Sequence, residues 1–364
     1  MSILLREEQQ AIAIESERIL KSRVKLDRLL HLLEIQGMYD ADFWQTMRAQ
    51  GWTGISVPEE YGGLGLSLVE VGLVAKACGA VLSGAPFLTS GCGVAHAILA
   101  GKSAIAKHRW LAALASGNAI GAVAVAEAQN PLPFRPAVTY GNGTLVGTKC
   151  AVSAGSAADV AVVLANQDGN PVLAVAALDG VQRKLFDTFD NSRCTADLIF
   201  DRTPAEVIAD GQEAMILARL VLAQQAVVTA FEQTGGAEAM MLQARDYANT
   251  RRAFGQVIGG FQAVKHRIAE MYVLVELARA NALHAASREG QPDFLRAAAV
   301  ARLSATEAYD TCARECTHVH GGIGVTWETG LHLHMRRART LSIEQGNGPF
   351  WEDFLVDTLT GAIT

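Results

Sequence analysis

The sequence predicts an α+β fold in three successive parts: a helical domain over residues 1–120, a β domain of short strands over 121–208, and a helical bundle over 209–364. Three observations predict it. The first 120 residues show helical apolar spacing broken by one glycine-rich loop. The block from Gly121 consists of short apolar runs separated by turn residues. From Gln212 the helical period returns and persists over three long segments. A chain of 364 residues exceeds one ordinary domain, and with 50% hydrophobic and 19% charged residues it can bury large cores.

In the first part, Leu29-Leu30-His31-Leu32-Leu33 is an apolar stripe with one polar interruption. Ala41–Ala49 reads as a short helix and Val69–Val81 as a longer apolar one. Between them, the glycines and proline of residues 51–65 mark a structured loop. In the β part, Val138–Lys149 contains Gly141-Asn142-Gly143, a strong hairpin signal. Val160–Ala165, Val172–Ala177 and Ala196–Phe200 follow as strands. Met215–Ala248, Phe261–Arg288 and Asp293–Thr317 are long enough for the helices of a bundle. There is no internal repeat or low-complexity segment.

A net charge of −6 argues against a nucleic-acid binder, while leaving room for a local basic pocket. Met1–Glu8 shows no apolar signal core, and no uncharged apolar run reaches 18 residues, so neither export nor a membrane span is expected. The six scattered cysteines, 78, 92, 150, 194, 312 and 316, read as reduced thiols, and the expected location is cytoplasmic.

Two segments of the last part interrupt the helical pattern with glycine and a cation. The first is Arg251-Arg252-Ala253-Phe254-Gly255 with Ile258-Gly259-Gly260-Phe261-Gln262. The second is His318-Val319-His320-Gly321-Gly322-Ile323-Gly324. Glycine costs about 1 kcal/mol relative to alanine inside a helix, so a core helix gains nothing from them. A ligand needing close backbone approach and a cationic contact explains them.

The order of parts, together with these segments, resembles the acyl-CoA dehydrogenase family over nearly the whole chain. Trp52, Pro58-Glu59 and Gly62-Gly63-Leu64-Gly65 are similar to its N-terminal pattern. Tyr247, Arg251, Phe254-Gly255, Ile258 and Gln262 are similar to its Tyr-x3-Arg-x2-Phe-Gly-x2-Ile-x3-Gln segment, and His320-Gly321-Gly322 with Gly324 to its His-Gly-Gly-x-Gly segment. The resemblance implies a middle β-barrel-like domain, a C-terminal four-helix bundle, FAD, and assembly from dimers into tetramers. It implies that Arg251 meets the FAD pyrophosphate, with Phe254 and Gln262 beside the dinucleotide. His318 stands where the family commonly has glutamine, and Gly321 and Gly322 admit the adenosine half. It also implies an acyl-CoA thioester substrate, α,β-dehydrogenation, and electron transfer to an electron-transfer flavoprotein. No metal site is expected: Cys312, Cys316, His318 and His320 straddle the end of a helix rather than forming two separated pairs.

The chain departs from the family pattern in its β part. The Thr-Glu-x3-Gly-Ser-Asp stretch falls on Ala126–Pro131, where only Glu127 persists. The Trp-Ile-Thr flavin wall falls on Ala151-Val152-Ser153, where Ser153 keeps a hydroxyl able to bond the flavin edge. The chemistry needs a carboxylate to take the α proton. The two positions at which the family supplies one fall on Gln345 and Gln225, and glutamine accepts no proton. Glu344 is adjacent to the first, but chain neighbours face different ways, so it serves only if the loop slips by one residue. Glu232 and Glu238 lie on the second helix without matching the pattern.

Two glutamines at the base positions fit a branch of the family in which two different subunits pair and one has lost part of its active site. Such two-gene enzymes are typical of bacterial breakdown of steroid side chains and similar bulky acyl-CoA esters. The expectation is therefore an FAD-linked acyl-CoA dehydrogenase, alone or paired with a second acyl-CoA dehydrogenase subunit in a tetramer. The alternatives are a non-catalytic partner that completes the FAD site of an active paralogue, and a flavin monooxygenase on the same scaffold. The arginines 336, 337 and 339 read first as a solvated helix face.

Overall fold

The computed structural model describes residues 5–23, 25–83, 86–87, 90–128 and 130–363. Gln129 of the Ala126–Pro131 stretch, the first four residues, residues 84, 85, 88 and 89 of the segment that follows the Leu68–Ala80 helix, and residues 24 and 364 lie outside them. The chain forms two compact units, each discontinuous in sequence. One comprises Met1–Leu26, Gly72–Leu82 and Ala226–Thr364, and the other Asp27–Val71 and Ser83–Gln225.

The second unit is organised by a sheet whose strands are β1 (Gly121–Ala124), β2 (Thr139–Gly141), β3 (Thr144–Val152), β4 (Val160–Gln167), β5 (Asn170–Ala177), β6 (Gln182–Leu185) and β7 (Ala196–Asp210). The order β4-β2-β3-β7-β5 returns to β4 through a second β4–β5 pairing, so the sheet closes on itself as a small barrel. Closure removes the unpaired edges that a five-strand sheet would otherwise expose. β4 over residues 160–165 and β5 over residues 171–176 are apolar and buried on both faces. Val94, Leu111, Leu114, Val162, Leu173 and Ile208 meet in one core with the helices His96–Ala100 and Ala104–Ala115. Asn142 and Gly143 at φ 51° and 77° make the two-residue turn read from the sequence.

β7 is three times longer than the Ala196–Phe200 run suggests, and β6 carries no strand signal. The Asp201-Arg202-Thr203-Pro204 stretch looks like a turn but is a bulge. Arg202 sits at φ 51°, is skipped in the register with β3, and the strand continues beyond it.

The other unit holds the helices Glu7–Arg23, Gln262–Ser287, Phe294–His320, Leu331–Ile343 and Gly348–Thr360, together with most of Gly211–Thr250. The three long patterns match observed helices to within a few residues. By length and composition alone Gly211–Thr250 is apolar enough to cross a membrane. However, 83% of its apolar window is buried inside the protein, as in a core helix. Its residue Gly235 passes the helix Leu68–Ala80 at Gly79 in backbone contact. A Cβ on Gly79 would lie 1.9 Å from Glu232 O, and one on Gly235 1.9 Å from Lys76 O.

The arginine cluster is not a solvated face. Arg337 is buried at 2% exposure and donates to Glu232 Oε1 at 2.8 Å and to Leu82 O at 3.1 Å. The residues lie one per position on a helix, so only one side of it meets solvent. Arg336 instead covers the Trp327 ring at 5.8 Å, and Arg339 is exposed.

Candidate functional site

The helix Gly211–Thr250 ends at Thr250, and the chain turns back through a two-strand ribbon, Arg252–Ala253 against Gln256–Val257. The Arg251 amide donates to Tyr247 O, and Ile258 N–H to Arg251 O, both at 2.8 Å, which pins the ribbon to the helix end. Phe254 stands at its tip, 95% exposed, edge-on to Phe261 at 6.3 Å. Arg251 and Gln262 are exposed beside it.

The second motif comes to the same place. The ring of Tyr247 stacks on that of His320 at 4.1 Å, and its hydroxyl reaches His320 O at 3.5 Å. His320 Nδ1 lies 2.8 Å from Cys316 O. A carbonyl only accepts, so Nδ1 carries the proton and Nε2 is the acceptor. Gly321 ends the helix at φ 64°, ψ −140°, a conformation open essentially to glycine alone. A Cβ on Gly321 or Gly322 would meet nothing within 4 Å. Arg251, Phe254, Gln262, Gly321 and Gly322 therefore belong to one exposed face, with His318 exposed one turn before the bend and its Nδ1 3.7 Å from Glu315. Ile323, Val325 and Trp327 extend that face at 50%, 75% and 60% exposure. An apolar patch of this kind next to a cation and a bare backbone is the signature of a surface covered by another molecule.

Ser153 belongs to the other unit, half-buried in the turn after β3 between Ala151 and Ala154, both at positive φ. Glu127, the surviving acid of that region, is committed to the fold. It accepts from the Ala137 and Val138 amides and from Lys149 Nζ at 2.6 Å, while Nζ also donates to Val125 O at 3.0 Å. Burial drives the Lys149 ammonium down to about 8, with Glu127 pulling the other way. Burial alone would raise the Glu127 carboxyl, but the Ala137 N–H, Lys149 and Val138 N–H outweigh it and hold it low.

Glu232 and Glu238 of the Gly211–Thr250 helix are not left over for proton abstraction. Glu232 is paired with Arg337, both side chains out of solvent. Glu238 bridges Lys76 at 2.7 Å and Arg279. Gln225, 1% exposed, abuts Gly93: a Cβ there would lie 2.7 Å from Gln225 Nε2. Gln345 sits at φ 61° and its Oε1 accepts from the Thr229 hydroxyl at 3.0 Å. Neither Gln225 Nε2 nor Gln345 Nε2 has a hydrogen-bond partner among the described residues. Glu344 caps the helix Leu331–Ile343, its side chain half-buried and its carbonyl held by Arg302 at 2.9 Å.

Arg302, which carried no sequence signal, and Arg337, read as part of a solvated cluster, are structural cations. Arg302, 1% exposed, also donates to Gln233 Oε1 at 2.6 Å and Thr306 Oγ1 at 2.8 Å, and to Leu341 O. The Cys312 and Cys316 thiols are buried and pushed up to about 12 by that burial, which keeps them neutral. Among the described residues no three His, Cys, Asp or Glu side chains converge on a metal-sized space.

Residues 6–118 match the family model described as acyl-CoA dehydrogenase, N-terminal domain, and residues 215–349 the model described as acyl-CoA dehydrogenase, C-terminal domain. The chain is 32% identical over 304 residues to acyl-CoA dehydrogenase IpdE2 of Mycobacterium tuberculosis (strain ATCC 25618 / H37Rv), an alignment that covers 82% of this chain and 81% of that protein. Among solved structures it is similar to the ChsE4-ChsE5 complex from Mycobacterium tuberculosis, with a TM-score of 0.90 and 24% identity over the full length of both chains. It is also similar to a variant of the Tcur3481-Tcur3483 steroid ACAD, with a TM-score of 0.88 and 24% identity over 98% of each. These two likenesses establish the fold.

Proposed function

This chain belongs to the acyl-CoA dehydrogenase family of oxidoreductases, and we propose that it acts as one subunit of a heteromeric acyl-CoA dehydrogenase whose partner supplies the catalytic carboxylate. The observation that carries this is the pair of amides, Gln225 buried and Gln345 half-buried, at the two base positions, while Glu232 and Glu238 are consumed by cations. Two of the solved relatives bear names of two-component complexes, and one of them is named a steroid enzyme, which supports pairing and a bulky acyl group.

The exposed face around Arg251 fits FAD. Arg251 would give a forked donor to the pyrophosphate, Phe254 an apolar plane that loses its 95% exposure when covered, and Gln262 and His318 polar contacts beside it. Gly322, with nothing within 4 Å of a Cβ, leaves the backbone open to the adenosine half. In the other unit, taken by itself, the Ser153 hydroxyl is proposed as a donor to a flavin edge. FAD bound there would supply the acceptor for hydride from the substrate β carbon, with reoxidation by an electron-transfer flavoprotein. Because the face is outward and apolar, it is completed by a second subunit rather than by this chain alone.

A second reading has one observation in its favour: Glu344 is a half-buried carboxylate next to Gln345, and it would be the base of a self-sufficient enzyme. One experiment separates the two. The chain is purified alone and with the acyl-CoA dehydrogenase paralogue encoded beside it, and flavin absorbance and acyl-CoA-dependent flavin bleaching are measured. The heteromer predicts bleaching only in the co-purified complex, unaltered by Glu344→Gln. Bleaching by this chain alone, lost in Glu344→Gln, would overturn it.

A further inference from the structure

The unit that contains the barrel holds a cleft of about 590 Å3 where β4 begins and β5 ends. That size lies within the range of small-molecule pockets, about 300–1,000 Å3. Two parts of the chain line it. The helix Ala104–Ala115 supplies Arg109 and Trp110, and the sheet end supplies Asp159, residues 177–181 and Arg183. The sheet wall is tied together. Leu178 N–H donates to Asp159 O at 2.9 Å, and Ile120 N–H to Asp159 Oδ2 at 2.8 Å. Arg183 donates to Ser156 O at 2.9 Å. It also donates to Ala158 O at 2.7 Å and Leu178 O at 3.3 Å, the carbonyls of the residues just before the two aspartates. Its Nε is buried and has no hydrogen-bond partner among the described residues. On the helix wall the Arg109 guanidinium lies over the Trp110 ring, 4.9 Å from its centre. Among the described residues, Arg109, Asp159, Asp179 and Arg183 form no ion pair with one another or with any other group. An exposed arginine and aspartate that can meet gain up to about 1 kcal/mol by pairing. Here three carbonyls hold Arg183 and the Ile120 amide holds Asp159, so the charges stay fixed and apart. Two carboxylates against one guanidinium leave the sheet wall at −1, and Arg109 leaves the helix wall at +1.

We infer that this cleft binds a small zwitterion with an apolar body, of amino-acid or dipeptide size. Its ammonium faces Asp159 and Asp179, its carboxylate takes the Arg109 guanidinium, and its apolar part lies against Trp110 and Val181. The cleft is neutral as a whole with its signs separated, and a ligand built the same way matches it best. A pure anion would meet two carboxylates there, and a pure cation two guanidiniums. Gly180, at φ 72° with nothing within 4 Å of a Cβ, leaves its stretch of the lining free of a side chain. The inference is independent of the flavin reading, since none of these residues belongs to the motifs used there.

The test is calorimetric titration of the full chain, together with any subunit that co-purifies, using phenylalanine and leucylphenylalanine as probes. Phenethylamine, which lacks the carboxylate, hydrocinnamate, which lacks the ammonium, and AMP are titrated in parallel. At least one zwitterion is expected to bind about tenfold more tightly than either half molecule. The tighter of the two assigns the source, a free amino acid or a peptide. Arg109→Gln should weaken that zwitterion and hydrocinnamate about tenfold and leave phenethylamine unchanged. Asp179→Asn should weaken the zwitterion and phenethylamine and leave hydrocinnamate unchanged. Both residues are exposed, so the variants should keep the wild-type melting temperature. No binding at millimolar concentration, half molecules that bind as well as the whole, tighter binding of AMP, or variants that weaken both halves equally would each overturn the inference. Flavin bleaching in the same preparations reads the proposed function separately.

Discussion

Arg337 donates to Glu232 Oε1 at 2.8 Å, with the two side chains 2% and 1% exposed and 105 residues apart in sequence. The Leu82 carbonyl, on a non-glycine residue at φ 59°, takes a second guanidinium bond. A buried charge is tolerable only while its partner remains. Glu232→Gln or Arg337→Met is therefore expected to cost about 3–5 kcal/mol in chemical unfolding, while the double variant with Met at both positions costs clearly less than the sum. Additive losses would show that the pair is not coupled.

His334 is buried against the Tyr309 hydroxyl at 2.8 Å, and burial, followed by the nearby Arg337 charge, brings its imidazole down to about 3. The folded value lies below the unfolded one, so the unfolded chain binds more protons between about pH 6.5 and 3. Stability is then lost as pH falls through that window, by up to about 4 kcal/mol at its acid end. His334→Asn keeps a hydrogen-bonding group without a titration, so its stability–pH curve should be flatter below pH 6.5. Parallel curves for the two proteins would contradict this.

Lys149 behaves in the opposite range. Its ammonium, at about 8 when folded, lies below the ordinary lysine value, so stability rises with pH from about 8 to 10.5 as the folded protein is relieved of a buried charge. Removing the counter-charge with Glu127→Gln should lower stability at pH 7 by about 3 kcal/mol and move the Lys149 titration further down, as read by NMR of the lysine side chain. A Lys149 titration that does not move would mean that Glu127 is not its electrostatic partner.

Gly321 and Gly322 should separate under substitution. Gly321→Ala forces a side chain into φ 64°, ψ −140° and should cost about 1–3 kcal/mol of stability. Gly322→Ala enters open space at ordinary φ, so thermal stability should hold while flavin uptake by the complex falls. Equal flavin content in wild type and Gly322→Ala would remove the backbone approach from the proposed cofactor contact.

The sequence by itself determined the family, the long helices and the hairpin at Asn142-Gly143, because each is written in local spacing: helical period, turn chemistry, or a motif within ten or so residues. It also showed glutamine at 225 and 345, since a residue type can be read without a structure. What only the tertiary structure decided was what those residues and their neighbours do. The barrel closure through β4 and β5, the β7 bulge at Arg202, the burial of Arg337 on Glu232, and the Arg302 clamp on the Glu344 carbonyl all join residues far apart in the chain. An arginine on a helix has the same local signature whether it faces water or a buried acid. Its role is settled by the partner that folding brings to it, and the one-dimensional pattern carries no record of that partner.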